Sequence, residues 1–307
     1  MTFLYVFCYA CVAIFAFSVL TRFLKLARLP VHVRWELYPV AHEPGAKAKY
    51  GGSILEEPEW WTKPRHTSKL NELKVMVPEI LLLKGVHEHN KAQWARSFPF
   101  HFGLYLLIGA TVLMVVGGIF GATGPGGFFG LLVPILGYAG LGLGLLGAIG
   151  LLHRRLSDEE YRDYSLPVDF LNLGFFIVAF GVALLGQLWF DQDFSKMRGF
   201  FAGLFRFSGA DLGFLQTAQV ILLTLLMTYI PFTHMSHFFT KYFMYHDVRW
   251  SDEPMAAGTK LERRVGRALA LKPTWAASHI DAADGTKTWV DVATTTGIPE
   301  ESEGGEK

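Results

Sequence analysis

Four stretches of this chain contain no Asp, Glu, Lys or Arg. They are residues 1–21, 97–152, 170–190 and 212–240. A hydrophobic fraction of 51% would also suit a soluble protein, but a helix crosses a bilayer with about 20 consecutive apolar residues, and each stretch is long enough. The second stretch suffices for two helices, and the glycine-rich segment 121–127 divides it. We therefore predict an all-α integral membrane protein, a bundle of five transmembrane helices at about 3–27, 99–120, 128–152, 167–190 and 212–240.

The distribution of basic residues predicts the orientation of the bundle. No Lys or Arg precedes Arg22, whereas a signal peptide begins with a basic region, so we interpret the first segment as a retained helix whose N-terminus lies outside. All of the 28 Lys and Arg residues except Lys196, Arg198 and Arg206 then fall on one face. The positive-inside rule makes that face cytoplasmic. We expect a multi-pass protein of the inner (plasma) membrane with a cytoplasmic C-terminus, and the net charge of +1 gives no indication of nucleic-acid binding.

The predicted spans divide the chain into four segments. These are a first transmembrane helix at 1–28, a long cytoplasmic loop at 29–98, four further transmembrane helices at 99–240 and a cytoplasmic tail at 241–307. The loop is long enough to dock a partner. Apolar residues near helical spacing predict an amphipathic helix over about 70–89, interrupted by Pro78, which lies on the membrane or under a partner. Segment 191–211 is expected to be an aromatic-rich connector in the membrane interface.

Small residues in two of the helices are expected to serve packing. Cys8 and Cys11 are the only cysteines, and without a second pair they are better explained as small apolar packing residues than as a redox or metal pair. In the third helix, four glycines at a 3-4-3 spacing form one stripe, namely Gly137, Gly140, Gly144 and Gly147. Such a stripe favours close helix packing, with a flat cofactor as the alternative.

The histidines carry the chemistry of the chain. All eleven lie on the predicted cytoplasmic face or in the adjoining helix ends. Four are at membrane depth, namely His101, His153, His234 and His237. Ionisable residues within a membrane are functional candidates, and two imidazoles from different helices can fill both axial positions of a haem iron. The chain has no Cys-x-x-Cys-His motif, so this haem would be non-covalent and b-type. Zinc would need three or four ligands, and no nearby carboxylate or cysteine adds to His234 and His237. For any single histidine, the alternative is a contact with lipid headgroups or with a helix end.

Two groups of residues carry a resemblance to known membrane cytochromes. The first group resembles the gamma subunit family of respiratory nitrate reductase, whose members are dihaem cytochromes b. It consists of the five helices, of His101 at the start of the second helix, and of Pro231-Phe232-Thr233 with His237 at the end of the fifth. The loop segment 34–43 and the tail segments 274–280 and 287–289 are more similar to relatives in sulfate-reducer transmembrane redox complexes. Those relatives work beside a cytoplasmic iron–sulfur subunit similar to heterodisulfide reductase.

The resemblance assigns roles residue by residue. His101 and His237 match the family's ligands for the cytoplasm-side haem. The positions of the second, outer pair are Thr111 and Gln219. Eighteen residues are five helical turns, so Gln219 lies on the stripe of His237, but it cannot replace an imidazole as an ordinary haem ligand. We therefore expect one haem b and no outer haem. A second haem would require an inner pair formed by His153 and His234.

The resemblance also implies a function. It is electron transfer between a membrane quinone, expected to be menaquinone, and a cytoplasmic iron–sulfur subunit. Arg96, Tyr105 and Asp169 lie near the inner helix ends and are candidates for contacts to haem propionates or quinone, with ordinary interfacial anchoring as the alternative for each. The alternative for the chain is a haem-free membrane anchor or scaffold of a redox complex. A quinone-linked hydrogenase or formate dehydrogenase cytochrome would have four helices and no long first loop.

Overall fold

The structure is a computed structural model that describes residues 2–29, 40–43, 45–122, 124, 126–275 and 285–294. Within these residues every regular element is helical. The α-helices are α1 (Thr2–Ala27), α2 (Gly45–Ala48), α3 (Lys69–Leu81), α4 (Lys84–His89), α5 (Lys91–Phe120), α6 (Gly127–Ser157), α7 (Glu159–Asp163), α8 (Pro167–Phe190), α9 (Ser195–Arg206), α10 (Phe214–Tyr229), α11 (His237–Phe243), α12 (Lys260–Leu269) and α13 (Trp289–Thr294).

Five helical segments are long and apolar enough to cross a membrane. They are α1, α5, α6, α8 and the segment Phe214–Phe232 that begins with α10. The prediction of an all-α bundle of five transmembrane helices is therefore confirmed, and the chain is membrane-embedded. The second span begins at Lys91 rather than at residue 99, because the Asn90 side chain caps it by accepting a hydrogen bond from Gln93 N at 2.9 Å.

The fifth span is not one continuous helix to residue 240, so that prediction is wrong. Helix α10 ends at Tyr229, and two 3₁₀ turns, Ile230–Phe232 and His234–Ser236, follow before α11 begins at His237. Pro231 has no N–H to donate to the helix, and Thr233 has an extended backbone with ψ of 175°. His237 is therefore not on the α10 stripe of Gln219, and the five-turn relation between them does not hold.

The chain forms two compact units, 1–22 with 70–237 and 23–69 with 238–307. The first unit holds the bundle, in which α5 packs on α6, α6 on α8, and α8 on α10. The glycine stripe of α6 makes the contact between α5 and α6 possible. A Cβ on Gly103 of α5 would lie 2.4 Å from Gly144 N, and one on Gly147 would lie 2.4 Å from Phe100 N. This stripe therefore packs helices and is not open to a flat cofactor.

Segment 191–211 packs against the bundle through one buried face, and its expected position in the membrane interface stays a prediction. It contains α9, which packs on α5; Arg198 and Phe200 are each 1% exposed. The buried Asp191 carboxylate accepts hydrogen bonds from Lys196 N at 2.9 Å and Met197 N at 3.0 Å at the start of α9. Burial raises the pKa of Asp191, while these hydrogen bonds lower it in part. The carboxylate thus fixes α9 to the end of α8.

The first helix docks through its cysteine face. Cys8 and Cys11 are free thiols, both buried. Cys8 Sγ lies 3.9 Å from Thr224 Oγ1, and Thr228 Oγ1 donates to Cys11 O at 3.3 Å, so both cysteines face α10. Their interpretation as packing residues is confirmed, although they contact a helix and not lipid.

The second unit joins the loop to the tail. The buried His42 ring lies 2.7 Å from Asp252 Oδ2, and Arg65 contacts Asp252 Oδ1 at 2.5 Å. The predicted loop helix over 70–89 is confirmed as α3 and α4 in the first unit, with Pro78 inside α3 rather than at a break. Of the segments that carry the second resemblance, residues 34–39 and 276–280 lie outside the described residues.

Candidate functional site

His101 and His237 lie next to each other at one end of the bundle. Their ring centroids are 6.0 Å apart, and the ring planes make an angle of 59°. Because a metal–imidazole bond is about 2 Å long, two rings bound on opposite sides of one metal ion have centroids roughly 6 Å apart. The separation therefore fits two axial ligands of a single iron.

The helices that lead to these two histidines are not packed against each other. The extended contacts run from α5 to α6, from α6 to α8 and from α8 to α10, and in the described part of the chain α5 and α10 share no comparable interface. The pair thus lies between two segments whose leading helices share no extended interface with each other. A flat group held between the imidazoles would require that α5 and α10 are not closely packed there.

The backbone fixes the orientation of the His101 ring. Nδ1 lies 2.8 Å from the Ser97 carbonyl oxygen one turn earlier in α5. A carbonyl only accepts, so Nδ1 carries a proton, and in the neutral ring the lone pair is therefore on Nε2. Metal-binding histidines commonly donate their other ring nitrogen to a carbonyl in this way. His101 therefore has the tautomer that an iron ligand needs.

Arg22 holds the turn that precedes His237. Its Nη1 donates to Thr233 O at 3.1 Å and to Ser236 Oγ at 2.6 Å, and Ser236 Oγ donates to Thr233 O at 3.0 Å. The break after α10 leaves carbonyl groups without helical partners, and the guanidinium meets that need. Sequence reasoning counted Arg22 only as an orienting charge. A signal in the sequence could have indicated this role: a helix that breaks near Pro231 and Thr233 leaves carbonyl groups that need a hydrogen-bond donor.

His234 has a different partner. Its Nε2 lies 3.3 Å from Asp169 Oδ1, and the other oxygen of Asp169 accepts from Leu166 N at 2.9 Å, capping α8. His153 is exposed near the end of α6, and its ring makes no contact with that of His234 among the described residues. The structure thus does not bring together the pair that a second inner haem would need.

Arg96 and Tyr105 make contacts within the fold. Arg96 Nη1 donates to Ala92 O at 2.5 Å on its own helix. Tyr105 OH donates to Ile80 O at 2.7 Å and so ties α3 to α5, as does the bond from Trp94 Nε1 to Leu82 O at 2.8 Å. Anchoring explains Arg96, Tyr105 and the α8 cap Asp169, and their contact with quinone or propionate stays a prediction.

Thr111 and Gln219, which occupy the positions of the family's outer ligand pair, have different surroundings. Thr111 is exposed and donates to Leu107 O at 2.8 Å. Gln219 is buried against Gln187, whose amide we orient so that Oε1 accepts from Gln219 Nε2 at 3.1 Å and Nε2 donates to Asp191 O at 2.8 Å. The opposite orientation would place Gln187 Oε1 against the Asp191 oxygens. Gln219 is thus committed to α8 and not to Thr111.

The donor set of the site is a pair of imidazoles. Structural and catalytic zinc sites use three or four protein ligands, and the described residues bring together no group of three or more His, Cys, Asp and Glu side chains that could hold a metal ion. Two imidazoles match the number of axial positions of haem iron, whose remaining ligands come from the porphyrin. No protein-family model and no curated protein matches this chain.

Proposed function

We propose that this chain is a membrane-anchoring cytochrome b subunit that holds one haem b between His101 and His237. The 6.0 Å separation of the two imidazole rings, on segments far apart in the sequence, carries the proposal. When bound, the haem supplies reversible one-electron transfer at this end of the bundle. A haem-free anchor would have no need to place two imidazoles at this separation.

The residues around the pair would prepare it for the cofactor. Ser97 O holds the His101 ring with the lone pair on Nε2. Arg22 holds the 3₁₀ turn from which His237 projects. The His101 ring and the backbone that leads to His237 are therefore held before iron binds, and preorganised ligands bind more tightly because less conformational entropy is lost.

The wider role follows from the resemblance and from the charge pattern. The site lies at the helix ends that adjoin most of the basic residues, which the positive-inside rule places in the cytoplasm. We infer that the chain relays electrons between membrane quinone, of the menaquinone type, and a cytoplasmic iron–sulfur subunit similar to heterodisulfide reductase. The apolar spans give quinone access from the lipid, and the long loop and the tail give a water-facing surface to the partner.

A reduced-minus-oxidised spectrum of the purified protein tests the proposal. Expressed with sufficient haem supply, the protein should show b-type α and Soret bands, and extraction should yield one haem per chain. The low-spin signal of bis-histidine iron should appear in the electron paramagnetic resonance spectrum. A folded, helical preparation without visible absorption would refute the cytochrome assignment and favour the haem-free anchor.

Substitution of Arg22 should weaken haem binding without removing a ligand. Changing Arg22 to glutamine deletes two hydrogen bonds to the turn before His237, and loss of a group that orients a metal ligand lowers affinity about 10–100-fold. We expect a reduction of about tenfold for Arg22→Gln, measured by titrating haem into the apoprotein.

A nearby charge provides the control. Arg28→Gln removes an equivalent positive charge six residues further along, beyond the end of α1, and should leave haem affinity unchanged. Equal losses in the two variants would show that net charge, and not the hydrogen bonds to the turn, governs binding.

A further inference from the structure

Helix α12 has two chemically distinct faces. At 100° per residue, its four basic side chains fall on one arc and its larger apolar side chains on the opposite arc. The basic residues are Lys260, Arg263, Arg264 and Arg267. The apolar residues are Leu261, Val265, Ala268 and Leu269. A separation this complete, with low overall hydrophobicity, is typical of helices that lie in a membrane interface.

Among the described residues, no carboxylate forms an ion pair with the basic face. The one acidic residue of α12, Glu262, serves the start of the helix: its Oε2 accepts from Gly258 N at 2.6 Å, while its N–H donates to Thr259 Oγ1 at 3.1 Å. The arrangement resembles a capping box, except that the Glu262 side chain accepts from the residue before the N-cap Thr259. None of the ion pairs among the described residues includes a cation of α12. Within the described part of the chain the charge of the arc is thus not neutralised, although Arg263 Nη1 donates to Gly258 O at 2.8 Å.

Exposed apolar side chains accompany this charge. Leu269 is 42% exposed, Leu271 50% and Trp275 53%, all within the last turn of α12 or just beyond it. Trp289 N donates to Leu271 O at 2.9 Å, which ties the start of α13 to this point. A basic face that only faced water would not require leucine and tryptophan beside it. Tryptophan in particular prefers the headgroup region of a bilayer.

We propose that α12 is a binding site for anionic phospholipid headgroups of the membrane that contains the bundle. Arg264, Arg267 and their neighbours would pair with lipid phosphates, while Leu269, Leu271 and Trp275 would enter the interface. Each basic residue near an anionic surface adds to the attraction. The five spans tether α12 to the membrane, since residues 233–259 connect the last span to Lys260, and such a tether raises the effective concentration of a weak contact.

Hydrogen exchange of the full-length protein in nanodiscs tests the site. One set of discs contains phosphatidylcholine alone, and the other contains phosphatidylcholine and phosphatidylglycerol in equal parts. Exchange of the backbone amides of 260–269 should be roughly tenfold slower in the anionic discs, and high salt should remove the difference. The variant carrying Arg263→Gln, Arg264→Gln and Arg267→Gln should exchange at the same rate in both lipids.

A charge-preserving variant completes the design. Replacing the same three arginines by lysine keeps the charge and should keep the lipid dependence. If the glutamine variant has already lost α12 in phosphatidylcholine discs, the lysine variant decides: retained dependence supports the site and lost dependence overturns it. Equal exchange of the wild-type protein in both discs would also overturn it, as expected if α12 instead docks an acidic protein. None of these outcomes depends on bound haem.

Discussion

Replacement of His237 by alanine is expected to abolish the b-type absorption of the purified protein, and His101→Ala should do the same. Changes to groups that merely support a metal ligand lower metal affinity by about 10–100-fold, so loss of either axial ligand should exceed that range. The two variants should retain the helical content and melting behaviour of the wild-type apoprotein, because His237 is exposed and His101 lies at the edge of the core. Haem per chain after purification is the measured quantity.

The other two membrane-level histidines are matched controls. His234 is three residues from His237 but pairs with Asp169, and His153 is exposed on α6. Both His234→Ala and His153→Ala should keep full absorption. The ligand assignment is wrong if His101→Ala and His237→Ala keep it as well, and a second haem is indicated if the control variants each lose half.

Gly103→Val is expected to disrupt the bundle itself. A Cβ at this position would lie 2.4 Å from Gly144 N and 2.7 Å from Gly140 O, and neither backbone atom can move without displacing α6. Overpacking of a well-fitted contact costs about 1–3 kcal/mol and more when backbone must shift. Because α5 also carries His101, the variant should both melt at lower temperature in detergent and bind less haem.

Gly142→Val on α6 separates this steric effect from helix propensity. Nothing lies within 4 Å of a Cβ at Gly142, so the same glycine-to-valine change at that site should leave the melting temperature close to that of the wild type. If Gly103→Val also melts like the wild type, α5 and α6 are not in close backbone contact in the membrane.

The number and type of helices could be predicted because both depend on local sequence. A charge-free run of sufficient length has few alternatives to a membrane span. The end of the fifth span could not be predicted from apolarity, since the residues after Pro231 remain uncharged. Prolines at 99 and 134 stay within helices here, so Pro231 alone does not specify a break; the extended Thr233 and the guanidinium of Arg22 complete it.

The histidine pair could be predicted in part, and its support could not. The matched depth of His101 and His237 follows from helix direction and length, which the sequence contains. The contact of Arg22 with Thr233 and Ser236 joins residues more than two hundred positions apart, and no periodicity reports such a contact. The buried face of α9 was missed for a similar reason, because its mixture of aromatic and basic residues suggested an amphipathic connector in the membrane interface, whereas Arg198 is buried.

The hydrogen bond between Tyr105 and α3 has a consequence for the speed of the proposed relay. Tyr105 lies one turn from His101 on the same face of α5, and its hydroxyl meets the backbone of α3 at Ile80. Electron tunnelling slows steeply with separation. A redox protein seated on the exposed apolar side chains of α3, such as Leu73 and Val77, would bring its own centre close to the histidine pair without entering the bundle. The position of α3 would then set the tunnelling distance, and small shifts of this helix would change the rate of electron delivery.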